Sequence, residues 1–435
     1  MILERKGGRM RKVLAILLLP AIFTIGNVIS TEKEVAFTPD QLAPITENPL
    51  GAYYTQLPTH PTVLEKTPTF KDGSLKEIAG YLEAEKKVPI KELHINDQGV
   101  PVFKLTNNQF VAADKQIIIE DTIQSQEEVQ KEAWIRKDFK VFEKPYQAGV
   151  KEVKTDLKAY QKVTISKEVR TARGTYSFVE GKGWISNIFL SEENIQMEEV
   201  QDLLNQKYNQ ANLGIYVYDL VDQKEAGINQ NKEVYSASIT KLPYLYYAQE
   251  QINQGKLQAD QKFKYIKEVN DFPGSYDNEG SGSLPKEADN EDYSLAELMS
   301  KVAKESDNSA HNILAYYSSQ QSNQDFQKEI DAIAGQHWDV ESRMVNPKMV
   351  GHLLVKIYQQ EGGLIDLMSQ TNFDQERISK NIDVKVAHKI GDAYDYKHDA
   401  AIIYGKTPFV LVIFTENSSY DQISQIADDI YGVLK

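Results

Sequence analysis

The C-terminal half of this 435-residue chain begins and ends on strands that only a protein interior can hold. Leu213–Leu220 (LGIYVYDL) is apolar and alternating, and Pro408–Thr415 (PFVLVIFT) is apolar throughout. The first pattern reads as a strand with one covered face, the second as a strand buried on both faces. Between them lie helical stretches. Leu242–Glu250 continues a helix from a serine, and Tyr293–Lys304 and Pro347–Gln359 are amphipathic. Tyr420–Leu434 reads as a closing helix. Strands from the two ends must share a sheet with helices laid on it, which is a layered α+β domain. Its expected span is residues 197–435.

Upstream, the chain repeats itself. Leu75–Ile78 (LKEI) matches Val150–Val153 (VKEV), Lys87–Ile90 (KVPI) matches Lys162–Ile165 (KVTI), and Gly99 matches Gly174. The offset is constant at about 75 residues. After a one-residue gap, Phe110-Val111 matches Trp184-Ile185. Both copies consist of short β-type runs with turn residues between them, which predicts two small all-β, barrel-like modules over 58–128 and 133–193. The second copy carries Lys144–Tyr146 (KPY), then GTYSFV and GKGWI, and resembles GW-type cell-wall-binding modules. The first is a degenerate version with Phe110 in place of Trp184. Trp184 itself reads as core.

Charge separates the copies. The whole chain carries a net charge of −14, which argues against general nucleic-acid binding, since that affinity comes from Lys and Arg neutralising phosphates. Residues 133–190 hold 12 Lys and Arg against 6 Asp and Glu, whereas 58–128 hold 8 against 12. A basic module on an acidic protein suggests contact with an anionic wall polymer. The plainer alternative is a pair of spacers.

The first 30 residues read as a signal peptide or membrane anchor. Arg5, Lys6, Arg9, Arg11 and Lys12 precede the apolar run Val13–Ile29. A Pro- and Thr-rich linker follows over 31–57. The rest is therefore expected outside the cytoplasmic membrane, with membrane contact only through this segment. The chain has no cysteine, which removes thiol nucleophiles, thiolate metal sites and disulfides. No helical His pair suggests a metal, and no phosphate-binding loop suggests a nucleotide. No cofactor is expected.

Three motifs carry the chemistry. In A237-S-I-T-K241, Ser238 and Lys241 stand at i and i+3 on one helical face. A lysine with a lowered pKa there can take the serine proton. Ser306-Asp307-Asn308 follows: Ser306 is placed to relay a proton, Asn308 to hold a substrate amide, and Asp307 to fix the turn. In Lys389-Ile390-Gly391, the lysine can bind a carboxylate and the glycine admits a close backbone approach. Asp392 would add a backbone N–H to that of Ser238 as an oxyanion hole.

The order and spacing of the three resemble the class A β-lactamase and penicillin-binding serine hydrolases, whose signatures are S-x-x-K, S-D-N and K-T-G. The flanks Gly280–Leu284, Tyr293–Leu298, Arg377-Ile378 and Asp399–Tyr404 agree. The resemblance implies Ser238 as acylated nucleophile, Lys241 as its base, Ser306 as proton shuttle, and Asn308 and Lys389 as substrate ligands. The substrate would be a β-lactam or a D-alanyl group of the cell wall. Two departures stand out. Ile390 replaces the threonine, and no E-x-x-L-N stretch supplies the glutamate that activates the deacylating water. Glu341, in Ala334–Asn346, is the candidate for that base, although its following residues fit the pattern poorly. Without it, a β-lactam should acylate Ser238 and leave slowly. The alternative is a non-catalytic wall-binding protein on the same scaffold.

Overall fold

A computed structural model of the chain describes residues 52–146 and 150–435. The expected leader and nearly all of the linker lie outside the described residues. Among the described residues no helix is long and apolar enough to cross a membrane. The chain forms two compact units, one of residues up to 127 with 142–153 and 168–176, the other of 128–141, 154–167 and 177–435.

The first sheet has five strands, in the order Ile78–Leu82, Thr67–Phe70, Phe110–Ala112, Pro101–Leu105, Ile90–Ile95. Its core gathers Tyr54, Val63, Val88, Phe103, Leu105, Val111 and Ile118. The second sheet runs Gly183–Ser186, Gly174–Val179, Lys162–Thr171, Ile123–Ile135, Leu190–Ser191. Ile135, Val141, Ile165, Val179 and Ile185 fill its core. Trp184 is buried and packs on Phe178, ring centroids 5.2 Å apart.

The duplication survives as a three-strand meander. The strands 90–95, 101–105 and 110–112 correspond to 162–171, 174–179 and 183–186, and Gly99 and Gly174 both take positive φ. The copies differ in what the meander meets next. In the first, strand 67–70 joins the last meander strand. In the second, strand 123–135 joins the first one. Both strand orders run between two end strands without closing among the described residues, so the repeat reads as open sheets rather than barrels.

The last sheet unites the two ends of the C-terminal half. Its order is Glu225–Ile228, Leu213–Asp219, Phe409–Glu416, Tyr396–Ile403, Val386–Ala393. All four pairings are antiparallel, with Ile215 opposite Ile413 and Lys389 opposite Ala400. The period of two explains the apolar run at 408–415. Ile215, Val217, Leu411 and Ile413 face one way, where Val200 and Ile423, Ile426 and Ile430 of the closing helix Tyr420–Leu434 cover them. Tyr216, Val410, Val412 and Phe414 face the other way, against a helical layer contributing Leu245, Leu298, Ile313 and Leu353. Helices on both faces account for the unbroken apolar run Phe409–Phe414 of that strand.

The helix expected from Tyr293 begins at Leu295. Residues 292–294 instead pair as a short strand with Lys262–Lys264. Ser294 then caps the helix by accepting from Glu297 N at 3.3 Å, the S-x-x-E pattern that marks a helix start.

Candidate active site

The nucleophile turn is clamped before it begins. Val234 and Tyr235 pair with Val345 and Met344, and Ser236 donates to Arg343 O from both N (2.9 Å) and Oγ (3.0 Å). The chain then makes a 3₁₀ turn over Ala237–Lys241 and continues as the helix Leu242–Asn253. Ala237 enters that turn at φ +49°, a left-handed conformation costing a side-chain-bearing residue about 1–3 kcal/mol. Tyr276 Oη holds it there, donating to Ala237 O at 2.8 Å. Residues three apart eclipse one another in a 3₁₀ turn, so Ser238 and Lys241 share a side.

Lys241 is fully buried, whereas Ser238 keeps 8% of its surface. The Lys241 ammonium donates to Ser306 O (2.6 Å) and Asn308 Oδ1 (2.6 Å), with Ser306 Oγ at 3.4 Å. It also lies 4.4 Å from the centre of the Tyr276 ring. Its hydrogen bonds go to Ser306 and Asn308, not to Ser238 Oγ. Lys389, on the strand Val386–Ala393, donates to Ser306 Oγ at 2.8 Å. Ser306 therefore hangs between two buried lysines.

Ser306 itself takes φ +55° where the helix Leu295–Glu305 ends. The next residue, Asp307, starts the helix Asn308–Ser318 by accepting from Ala310 N at 2.8 Å, and its other oxygen accepts from Leu284 N at 2.7 Å. Asp307 thus pins the turn to the loop Gly280–Leu284. Gly282, at φ +110°, lies so close that a Cβ there would stand 2.1 Å from Asp307 Cγ. Both ends of the Asn308 amide are engaged within the chain, Oδ1 by Lys241 and Nδ2 by Asp277 O at 2.6 Å.

Gly391 is needed for a close approach, and the approaching group is the chain itself. A Cβ at this position would lie 2.6 Å from Ser236 O and 2.9 Å from Ile239 Cγ1. The glycine lets the lysine strand lie against the nucleophile turn. The Asp392 carboxylate accepts from Arg377 Nη2 at 2.5 Å and from Tyr420 Oη. Glu341 is exposed, on a turn where Asp339 Oδ1 accepts the amides of Glu341 and Ser342 at 3.1 and 2.8 Å. Of the expected site residues, Lys241, Ser306, Asn308 and Lys389 form one bonded cluster beside Ser238, and the Glu341 side chain has no hydrogen bond to any of them.

Burial sets the charge states. Loss of solvent, reinforced by Lys389 and Arg343 and opposed by Asp307, holds Lys241 well below the ordinary amine range. Burial brings Lys389 down to about 7, although Asp399 pulls the other way. His388, on the opposite face of the same strand, behaves in the reverse sense. Burial alone would lower it, but Asp399 and Asp374 raise it to about 9. Its Nδ1 is 3.1 Å from both Asp399 oxygens and its Nε2 is 3.2 Å from Asp374 Oδ1.

Tyr276, Arg343 and His311 were not legible as site residues. Arg343 stacks on the Tyr276 ring, Cζ 3.7 Å from its centre. His311 stands edge-on to Tyr244 and Tyr276, centroids 4.6 and 4.7 Å away, and neither ring nitrogen has a partner. Tyr276 belongs to no motif, and it comes next to Lys241 only through the tertiary fold.

Residues 53–118 match a domain of unknown function (DUF5776). No curated protein matches the chain. Among solved structures, PBP-A is 17% identical over 55% of this chain and 95% of its own, with a TM-score of 0.45. A beta-lactamase from Sphaerobacter thermophilus is 15% identical over 55% and 95% (TM-score 0.43). One from Chitinophaga pinensis is 19% identical over 55% and 97% (TM-score 0.43). Residues 196–434, more than half of the sequence, match the profile of the beta-lactamase enzyme family, and the chain belongs to that family.

Proposed function

We propose that this protein is an exported serine acyltransferase-hydrolase of the bacterial cell envelope, acting on a β-lactam amide or a D-alanyl group of the wall. The observation that carries the reading is Ser306 Oγ held between two buried lysines, one of which, Lys241, shares a single 3₁₀ turn with Ser238. In this mechanism Ser238 Oγ attacks the carbonyl carbon and its proton passes to Lys241, whose buried amine is poised to accept it. The backbone N–H groups of Ser238 and Asp392 receive the oxyanion. As the carbon–nitrogen bond breaks, Ser306 gives its proton to the leaving nitrogen and is reprotonated from the lysine side. Lys389 binds the substrate carboxylate, with Asn308 beside it.

Deacylation is the slow step in this reading. Glu341 is exposed and its side chain has no hydrogen bond to the cluster, so in this reading it does not activate water and the acyl-enzyme persists. The leader, residues 1–30, would export or anchor the chain. The basic second copy, read as GW-like, would place the hydrolase on an anionic wall polymer. A pure scaffold would gain nothing from two unpaired lysines held in the interior at a cost in desolvation.

The test is covalent labelling with a fluorescent penicillin. The wild type should retain label that survives denaturation, and Ser238→Ala should not. A chromogenic β-lactam should give one fast equivalent and then slow turnover. Serine-independent labelling, or no label and no hydrolysis of any D-alanyl ester or peptide, would refute the reading.

A further inference from the structure

The segment Ala334–Asn346 presents a guanidinium to the site where a carboxylate was sought. Arg343 sits at φ +59°, one residue before the strand that clamps the nucleophile turn. Its Nη1 donates to Tyr235 Oη at 3.1 Å, and its Nη2 donates to Gly274 O at 3.2 Å and Ser275 O at 2.9 Å. Its Nε is buried with no partner. The plane of the group is given over to the Tyr276 ring, 3.7 Å from Cζ to centroid. Lys241 Nζ lies 4.4 Å from the same centroid. The guanidinium and the Lys241 amine are therefore within roughly 8 Å of each other, inside one Debye length.

We propose that Arg343 is a positioning residue for acyl transfer: stacked on Tyr276, it sets a permanent positive charge against the ring that also receives Lys241, and so keeps that amine ready to accept the Ser238 proton. The proposal rests on the serine-nucleophile reading above. Arginine suits the task because it stays charged at every working pH and stacks flat on an aromatic face. The other groups facing Lys241 are Lys389 from its strand, Asp307 from the start of the helix Asn308–Ser318, Lys286 from the loop that precedes Leu295–Glu305, and Tyr276 itself. His311, on the helix Asn308–Ser318, is held well below its ordinary value by burial and by Lys241, Arg343 and Lys389. Asp307 is the one anion in this set, and its two oxygens are already occupied by the Ala310 and Leu284 amides. Arg343 offsets it.

Two readouts on the full chain test this. One is the titration of the Lys241 side chain by NMR of carbon-13-labelled lysine, assigned through Lys241→Met. The other is the rate of penicillin labelling against pH. Arg343→Met should move the Lys241 midpoint up by about one pH unit and slow labelling about tenfold at neutral pH, with the deficit closing in base. Arg343→Lys should restore the midpoint. Tyr276→Phe, which keeps the ring, should leave it in place. Arg343→Gln, which keeps an amide donor for Gly274 O and Ser275 O, gives the same test if Arg343→Met does not fold. An unmoved midpoint in the variants lacking the charge, or a labelling deficit equal at every pH, overturns the proposal. A moved midpoint in a wild type that neither takes label nor hydrolyses a D-alanyl substrate would uphold the charge coupling of Arg343 to Lys241 and refute the serine reading, and with it the role in acyl transfer.

Discussion

His388 and Lys389 are neighbours on one strand with opposite pH behaviour, and the consequence is measurable as stability. His388 is raised from 6.5 to about 9 by its two carboxylates against the effect of burial. Its contribution is complete below pH 6.5 and is lost as pH climbs through 9. Lys389 is lowered from 10.5 to about 7 by burial. The folded chain favours its neutral form, so it penalises the native state below pH 7, and the penalty fades towards 10.5. Each window has a slope of about 1.4 kcal/mol per pH unit. Between pH 7 and 9 each group therefore changes stability by roughly 3 kcal/mol, in opposite directions.

Difference curves remove the groups that neither residue touches; in Lys389→Met the Lys241 amine, which Lys389 helps to lower, also relaxes upward and adds to the curve in the same sense. Relative to wild type, His388→Gln should be most destabilised near pH 6 and should recover by roughly 3 kcal/mol as pH approaches 9. Lys389→Met should do the reverse, gaining most at low pH and losing that advantage with rising pH. Urea unfolding followed by circular dichroism at 222 nm reports the right domain, because every α-helix among the described residues lies at or beyond Gln196. The pair shares Asp399, which accepts from His388 and pulls on Lys389, so the magnitudes couple while the signs do not. Two level curves, or two curves running the same way, would refute the assignment of a histidine raised to about 9 beside a lysine lowered to about 7.

Further expectations follow from single contacts. Ser306→Ala leaves Lys389 and Lys241 without their shared hydroxyl and should slow penicillin labelling by about a hundredfold or more, measured as a second-order rate. Gly282→Ala puts a Cβ 2.1 Å from Asp307 Cγ in a backbone at φ +110°; unfolding should show a loss above about 2 kcal/mol. Gly391→Ala drives a Cβ into Ser236 O and should cut labelling about tenfold or more through displacement of the nucleophile turn. If the second copy holds an anionic wall polymer, sedimentation with purified walls should weaken in salt and fall further when Lys151, Lys154 and Lys158 are all replaced by Glu.

What the sequence revealed and what it hid divide along physical lines. The closing helix Tyr420–Leu434 and the helix Pro347–Gln359 were legible to the residue, because an apolar face recurring every three or four residues is a local signal. The strand at 408–415 was legible as a short unbroken apolar run, which is equally local. The duplication was legible, but the edge on which each meander is extended was not, since strand pairing depends on partners far away in sequence. In the site, Lys241, Ser306, Asn308 and Lys389 were found through spaced motifs. Their bonding was not: Lys241 turns to Ser306 and Asn308 rather than to Ser238, and Gly391 makes room for Ser236 instead of a ligand.

The residues that escaped the sequence share one property. Tyr276 and Arg343 have no fixed spacing to the nucleophile, and each reaches it through a carbonyl. Tyr276 holds Ala237 O and Arg343 O receives Ser236. These two bonds bracket the strained residue at φ +49°, so the turn that exposes Ser238 is held from both sides by the same pair that faces Lys241 with a ring and a charge. Holding the turn and tuning its base therefore fall to the same two side chains but to different atoms of them. Tyr276→Phe gives up the bond to Ala237 O and keeps the ring, and Arg343→Lys keeps the charge, so these substitutions separate the two roles better than deletions to alanine. Strain in the site gathers at Ala237, Ser306 and Arg343, all left-handed. At Ala237 and Ser306 the left-handed residue is followed by a buried side chain, Ser238 or Asp307, whereas after Arg343 the next side chain, Met344, is exposed and the left-handed residue itself supplies the guanidinium stacked on Tyr276.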